Sequence, residues 1–472
     1  MNKTKIISTL GPNSNNYNCI RDMIITGVDV IRINMAYASF DFAKEAILNV
    51  RRVDIEEGIT TGIMLDTIGP EIKIGGLEKA NVNLIKDKLV RIVDSEILGN
   101  EEMIPVPIKD IITHSNVDDD IFINNASVRL KVVKKDDDNL ICKVINGGQI
   151  SSYSTIYTPS IDFNTKFLSN KDREIIEFAI EMQVDYIALS NVKEEMDILD
   201  VNDLLISLND NNIQLISKIE NKHALDQIDR ILKVSDGIII SRGDLAIDLN
   251  VEKVPSIQKD LINKAKENQK IVVISTDLLS SMKDSITPSR AEVSDVANSV
   301  LDSVDALMLG EETAVGNYPV ETVKMMNDII EEVENSIDYN DLLHDITKDE
   351  VINISKAIAY SSVDSANRVK ASAIICSTLS GATAKDISNY RPSCPVIAIS
   401  PNSKVVRGLS INYGIVPLTV GMAETTDELV TLSLQAVKKI LDIKASDKVV
   451  IAGSFPLESV NYTNFMKIEE IK

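Results

Sequence analysis

The chain has 472 residues, 44% hydrophobic and 25% charged, enough to bury a large core in two or three domains. A net charge of −22 argues against nonspecific nucleic-acid binding, which needs clustered Lys and Arg against phosphate. No run approaches a membrane span, and the N-terminal MNKTKIISTLGP has no apolar leader core. Four cysteines (Cys19, Cys142, Cys376, Cys394) without CxxC or metal spacing predict a reduced, cytoplasmic setting. Three scattered histidines (His114, His223, His344) argue against a histidine-built metal centre.

Apolar runs of strand length recur at 4–10, 28–34, 62–66, 186–190, 213–220, 237–244, 271–276 and 306–312. Continuous apolar runs suit strands buried on both faces of a parallel sheet. Amphipathic stretches such as SNKDREIIEFAIEMQ and SRAEVSDVANSVLDSV lie between them. This alternation predicts an α/β chain built on a (β/α)8 TIM barrel, residues 1–72 and 160–340. Residues 73–159 interrupt it with alternating segments and the turn signals DDDN and NGG, predicting an inserted small β-barrel lid domain over the barrel mouth. From 341 to 472 a long helix precedes the strands SAIICS, PVIAIS, GIVPLTV and KVVIAG, predicting a C-terminal α/β regulatory-type domain.

In such a barrel the polar residues at C-terminal strand ends are the functional candidates. Here these are Arg32 and Asn34, Asp66 and Thr67, Ser190 followed by Lys193, Lys218 and Glu220, Gly243 and Asp244, Thr276, and Glu311 with Glu312. Lys218 and Glu220 stand one strand period apart and point the same way. Glu220 and Asp244 can hold Mg²⁺, a hard cation, while Lys218 and Arg32 balance phosphoryl charge. Gly243, at a turn into a helix, lets backbone N–H groups approach an anion. The set suits a small, doubly anionic substrate; unrelated strand caps are the plain alternative.

The segments TKIISTLGP, IRINM, LDTIGPEIKIG, LISKIEN, SDGIIISRGDL, PSRAEVSDVANSVLD and ALMLGEETAVGNYPVE resemble the signature stretches of pyruvate kinases, in family order over essentially the whole length. The resemblance implies Mg²⁺-dependent phosphoryl transfer between phosphoenolpyruvate and ADP in glycolysis, giving pyruvate and ATP. It implies that Glu220 and Asp244 hold Mg²⁺, that Lys218 stabilises the transferring phosphoryl group, and that Arg32 contacts it. Thr276 would lie on the face where the enolate is protonated, with Ser190, Gly243 and Asp244 bordering the substrate. Asn34, Asp66 and Thr67 resemble a K⁺ site, with Asn34 and Lys73 also on the nucleotide side. Glu71 matches a glutamate that accompanies K⁺ dependence, and a homotetramer is implied.

The departures from the family pattern are unevenly placed. Ala36 lacks a hydroxyl that helps bind K⁺, Tyr37 stands for a histidine, Ile68 for a lysine and Lys73 for an arginine. Asn124 and Asn125 stand for an acidic pair, and Ser154–Tyr157 for a lysine-bearing stretch. The phosphoenolpyruvate and Mg²⁺ side is retained while the K⁺ and nucleotide sides are eroded. This leaves open an acceptor-altered or non-catalytic paralogue, and a Mg²⁺-dependent lyase of pyruvate-like enolates. In the C-terminal part, Ser377, Thr378, Ser380, Gly381 and Thr383 form a Ser/Thr/Gly-rich loop before a helix, suited either to an effector phosphate or to ordinary N-capping.

Overall fold

The structure, a computed structural model, describes the chain except residues 71, 96, 108, 125–126, 159–165, 211, 348–352, 422–424, 455–461 and 472, and the side chains of 426 and 439. Glu71 and Asn125 thus lie outside the described residues. The chain divides into two units, Met1–Ile68 with Asn170–Leu245 and Glu252–Lys472, and Gly69–Ser169 with Ala246–Val251.

The first unit holds a closed barrel of eight parallel strands: Lys5–Thr9, Val30–Asn34, Gly62–Asp66, Tyr186–Leu189, Gln214–Ile219, Gly237–Ser241, Ile271–Ser275 and Ala306–Leu309. We number them one to eight in chain order. Their apolar continuity reflects burial on both faces: strands one, three, six and seven are buried at every position. Inside the barrel, Ile7, Met64, Tyr186, Ile216, Ile239 and Val273 pack into one cluster. Helices such as Val254–Glu267, with Pro255 in its first turn, and Arg290–Leu301, opened by a Ser289–Glu292 capping box, cover the outside.

The sixth run is shorter than its sequence pattern. Strand six ends at Ser241 and a helix, Arg242–Asp248, starts at once. Asp244 is therefore a first-turn helix residue, where a carboxylate meets the positive end of the helix dipole.

The same unit contains a five-stranded sheet ordered Ile415–Thr419, Val396–Ser400, Ala373–Ser377, Lys448–Gly453 and Phe465–Glu470. The first four strands are parallel and the last, an edge, is antiparallel. Helix Ile354–Val369 packs against this sheet.

The second unit is mostly antiparallel. A six-stranded sheet runs Ile156–Tyr157, Asp120–Ile123, Val128–Lys135, Asn139–Asn146, Leu89–Val93 and Met103–Pro105, and a two-stranded sheet pairs Gly148–Ser151 with Asn81–Leu84. Alternation puts Val128, Leu130 and Val132 beside Leu140, Cys142 and Val144 in its core.

Candidate active site

Strand five brings Lys218 and Glu220 together, as its period-two alternation dictates. The Lys218 ammonium is 2.7 Å from Glu220 Oε1 and 3.6 Å from Asp66 Oδ2, and donates to Ser190 Oγ at 3.2 Å. Burial disfavours its charge, but Glu220 and then Asp66 outweigh that and raise its pKa. The other Glu220 oxygen accepts the Asn191 backbone N–H at 2.6 Å.

Asp66, wholly buried, accepts both prongs of Arg32, Nε at 2.9 Å and Nη2 at 2.5 Å. The remaining nitrogen, Nη1, donates to Thr9 Oγ1 at 2.9 Å. Burial works against an ionised Asp66, yet Arg32 and then Lys218 hold its pKa below the ordinary carboxylate value. Thr67 fixes Ser190 from both sides: Ser190 N donates to Thr67 Oγ1 at 3.0 Å, and Ser190 Oγ donates to the Thr67 carbonyl at 2.8 Å.

Thr276 follows strand seven with φ of 69°, a left-handed conformation uncommon for a β-branched residue. Its hydroxyl donates to the Ser275 carbonyl at 2.6 Å and accepts Gly243 N–H at 3.1 Å. Arg242 locks this corner, donating to the carbonyls of Ser275 (3.3 Å) and Thr276 (2.5 Å) and to Asp295 (2.7 Å).

Burial and then the neighbouring Glu220 carboxylate push Asp244 up to about 7. Asp244 itself is exposed to solvent, so the repulsion from Glu220 outweighs the effect of burial. Two adjacent carboxylates, one of them reluctant to ionise, fit a divalent cation that relieves their repulsion. Among the described residues no cluster of three or more His, Cys, Asp or Glu could hold a metal. The pair therefore suits an ion such as Mg²⁺, which keeps waters and completes its shell with substrate oxygens.

Other candidates sit differently. Asn34 turns into its own loop, its Oδ1 accepting Ala36 N–H at 3.0 Å. Tyr37 is 80% exposed. Lys73 belongs to the second unit, where it bridges Thr155. Glu311 pairs with Lys283 at 2.6 Å, and Glu312 accepts Gly310 N–H at 2.7 Å, so both serve the loop after strand eight. In the loop 377–383, Thr378 Oγ1 accepts Gly381 N–H at 2.9 Å and Thr383 shares a hydrogen bond with Thr463 at 2.7 Å. Gly381, at φ of 89°, occupies the left-handed N-cap position before helix Ala382–Asn389.

Residues that the sequence reading missed are Thr9, Arg242, Asp295 and the Asn191 backbone. Thr9 was legible in principle, being the polar end of strand one. Asn191 acts through its main chain, at φ of 57°, and no residue type signals that.

This arrangement has close counterparts. The barrel-domain model of pyruvate kinase matches residues 1–323, and its alpha/beta-domain model matches residues 356–469. The chain belongs to the pyruvate kinase family. It is 34% identical over its whole length to the whole of a pyruvate kinase of Clostridium perfringens. It is 35% identical to one from Geobacillus stearothermophilus, covering 99% of this chain and 80% of the relative. Among solved structures, a pyruvate kinase from Cryptosporidium parvum superposes with a TM-score of 0.92 at 33% identity, covering 100% of this chain and 96% of that one. The chain is thus an enzyme, a phosphotransferase with pyruvate kinase function, on a family that in general requires a divalent metal and K⁺. No described helix is long and apolar enough to cross a membrane.

Proposed function

We propose that this chain transfers the phosphoryl group of phosphoenolpyruvate to ADP, with Glu220 and Asp244 as the protein ligands of Mg²⁺. The observation that carries this reading is the convergence of Lys218, Glu220, Asp66, Arg32 and Ser190 in one hydrogen-bonded network at the strand ends. When bound, Mg²⁺ would neutralise charge on the substrate oxygens as the phosphoryl group moves. Lys218, kept cationic by its two carboxylates, stabilises charge on the transferring group. Arg32 is held rigid by Asp66 and Thr9, so its orientation toward a phosphate costs little further entropy. Ser190 and the Gly243 N–H border the substrate. The Thr276 hydroxyl, fixed between Gly243 and Ser275, stands on the face where the enolate accepts a proton. Loose phosphoryl transfer needs such positioning and positive charge more than covalent chemistry.

The same reading assigns K⁺ to the Asn34, Asp66 and Thr67 region, weakened by Ala36, and assigns Asn34 and Lys73 to the nucleotide side. It takes 73–159 as the lid and 341–472 as the regulatory-type domain, in a cytoplasmic homotetramer. Sedimentation at the mass of a single chain would contradict that assembly. An effector phosphate is assigned to Ser377, Thr378, Ser380, Gly381 and Thr383. Calorimetry with fructose bisphosphate tests it, and absence of heat would leave only the capping role.

The central test is pyruvate formation from phosphoenolpyruvate with Mg²⁺ and ADP, with and without K⁺, beside Lys218→Met. The variant should lose roughly two to three orders of magnitude in rate, as when a main charge-stabilising donor is removed. Mg²⁺-dependent substrate binding without turnover in the unaltered protein would instead point to another phosphate acceptor.

A further inference from the structure

At the other end of the barrel, away from Thr276, a cleft of about 770 Å³ opens between helix Val254–Glu267, the loop before strand eight, helix Tyr339–Thr347 and the end of helix Ala382–Asn389. Lys270 directly precedes strand seven and Ser303 shortly precedes strand eight, which places the cleft at the N-terminal ends of the strands.

Its four cations are not equivalent. Arg391, 2% exposed, spends its guanidinium on Asp305 at 3.0 Å and on the carbonyls of Ser303 and Ser388. Lys259 pairs with Asp302 at 2.5 Å. Lys270 donates to the Ser235 carbonyl at 2.7 Å, a neutral partner. Lys266 has no hydrogen-bonded or ion-paired side-chain partner among the described residues. Burial first, and the Arg391 charge second, draw its pKa down to about 8, although Asp305 and Asp302 pull the other way. A half-buried amine without a counter-ion is costly, and an entering anion would repay that cost. The acids Glu267 and Asp345, which also line the cleft, are exposed and well screened.

Apolar side chains also line the cleft. Leu301 is 53% exposed, Leu342 and Ile346 are half-buried, and Ile262 lies one helical turn from Lys266. Lys266, the one cation of the four with neither a carboxylate nor a carbonyl on it, stands among aliphatic side chains, and that pairing matches a singly charged head on an apolar body.

We propose that this cleft is a binding site for a small amphipathic monocarboxylate, its carboxylate on Lys266 and its apolar body along Leu301, Leu342 and Ile346. The site is separate from the phosphoryl-transfer centre and does not depend on that reading.

The test uses hexanoate as the probe and hexanol as its uncharged counterpart, titrated calorimetrically into the full chain. Hexanoate should bind saturably, and hexanol at least tenfold more weakly. Lys266→Met should weaken hexanoate at least tenfold, Lys266→Arg should largely retain it, and Lys218→Met at the barrel mouth should leave it unchanged. Independently, hexanoate should slow trinitrophenylation of Lys266, read by peptide mass spectrometry on the unaltered protein, so the result stands even if a variant folds poorly. Equal affinity for hexanol, an unchanged dissociation constant in Lys266→Met, loss of binding in Lys218→Met, or no protection of Lys266 would each overturn the proposal.

Discussion

Lys218 stays cationic in a buried mouth because two carboxylates face it, whereas Asp244 is driven toward neutrality because one carboxylate faces it. The consequence for Asp244 has a definite sign. A carboxyl whose folded pKa is raised to about 7 binds its proton more tightly folded than unfolded. Its contribution therefore falls as pH rises from the ordinary carboxylate range, about 4, to about 7, and is unfavourable above. Asp244→Asn should raise the melting temperature of the metal-free protein at pH 8 but not at pH 4, while abolishing Mg²⁺ activation. Equal melting temperatures at pH 8 would show that Glu220 and Asp244 do not repel. In the unaltered protein, Mg²⁺ affinity should fall as pH drops below about 7, because the metal competes with a proton on Asp244.

Between residue and fold stands the junction of strand five with helix Lys222–Asp226, governed by Asn221. Its Oδ1 caps the helix by accepting Ala224 N–H at 2.9 Å, and its Nδ2 donates to the Val192 carbonyl at 3.1 Å. The second bond anchors the loop whose Asn191 N–H meets Glu220 and whose Ser190 meets Lys218. Aspartate keeps the cap but loses the donor. Asn221→Asp should therefore alter stability little while raising the Mg²⁺ concentration for half-activation several-fold. Asn221→Ala should in addition cost about 1 kcal/mol of stability, the usual worth of an N-cap. A Mg²⁺ requirement unchanged in Asn221→Asp would show that the loop is held by other contacts.

Across the first unit, barrel and five-stranded sheet are joined by ion pairs at barrel residues the strand pattern leaves unremarked. Asp305 accepts from Arg391 at 3.0 Å, from Tyr413 N at 3.3 Å and from Val272 N at 3.0 Å. Asp185 accepts from Arg407 at 2.9 Å and Arg51 at 2.8 Å, and Lys404 pairs with Asp210 at 2.6 Å. The Arg391–Asp305 pair is almost fully buried, so removing one partner strands the other. Arg391→Ala should destabilise the chain by about 3–5 kcal/mol in urea unfolding. Replacing both partners with apolar residues should cost less than the single change. A loss below about 1 kcal/mol for Arg391→Ala would mean that water reaches Asp305.

Hydrophobic continuity was enough to locate all eight barrel strands, because a strand buried on both faces must be apolar at nearly every position. Period-two alternation likewise placed Lys218 beside Glu220. The antiparallel edge Phe465–Glu470 escaped notice because it is half-exposed and its sequence, FMKIEE, carries no continuous apolar signal. A helix after Gly243 was expected, but its start already at Arg242 was hidden because Arg, Gly and Asp read as turn residues following a strand. Which groups share a charge was never local information. Asp66, Arg32 and Lys218 lie on strands three, two and five, and the lateral pairing of these strands, curved into the barrel, sets Asp66 between the two cations. Residue type and spacing fix which side chains face the mouth; Coulomb energy depends on distance and burial, and those arise only when the strands close around one another.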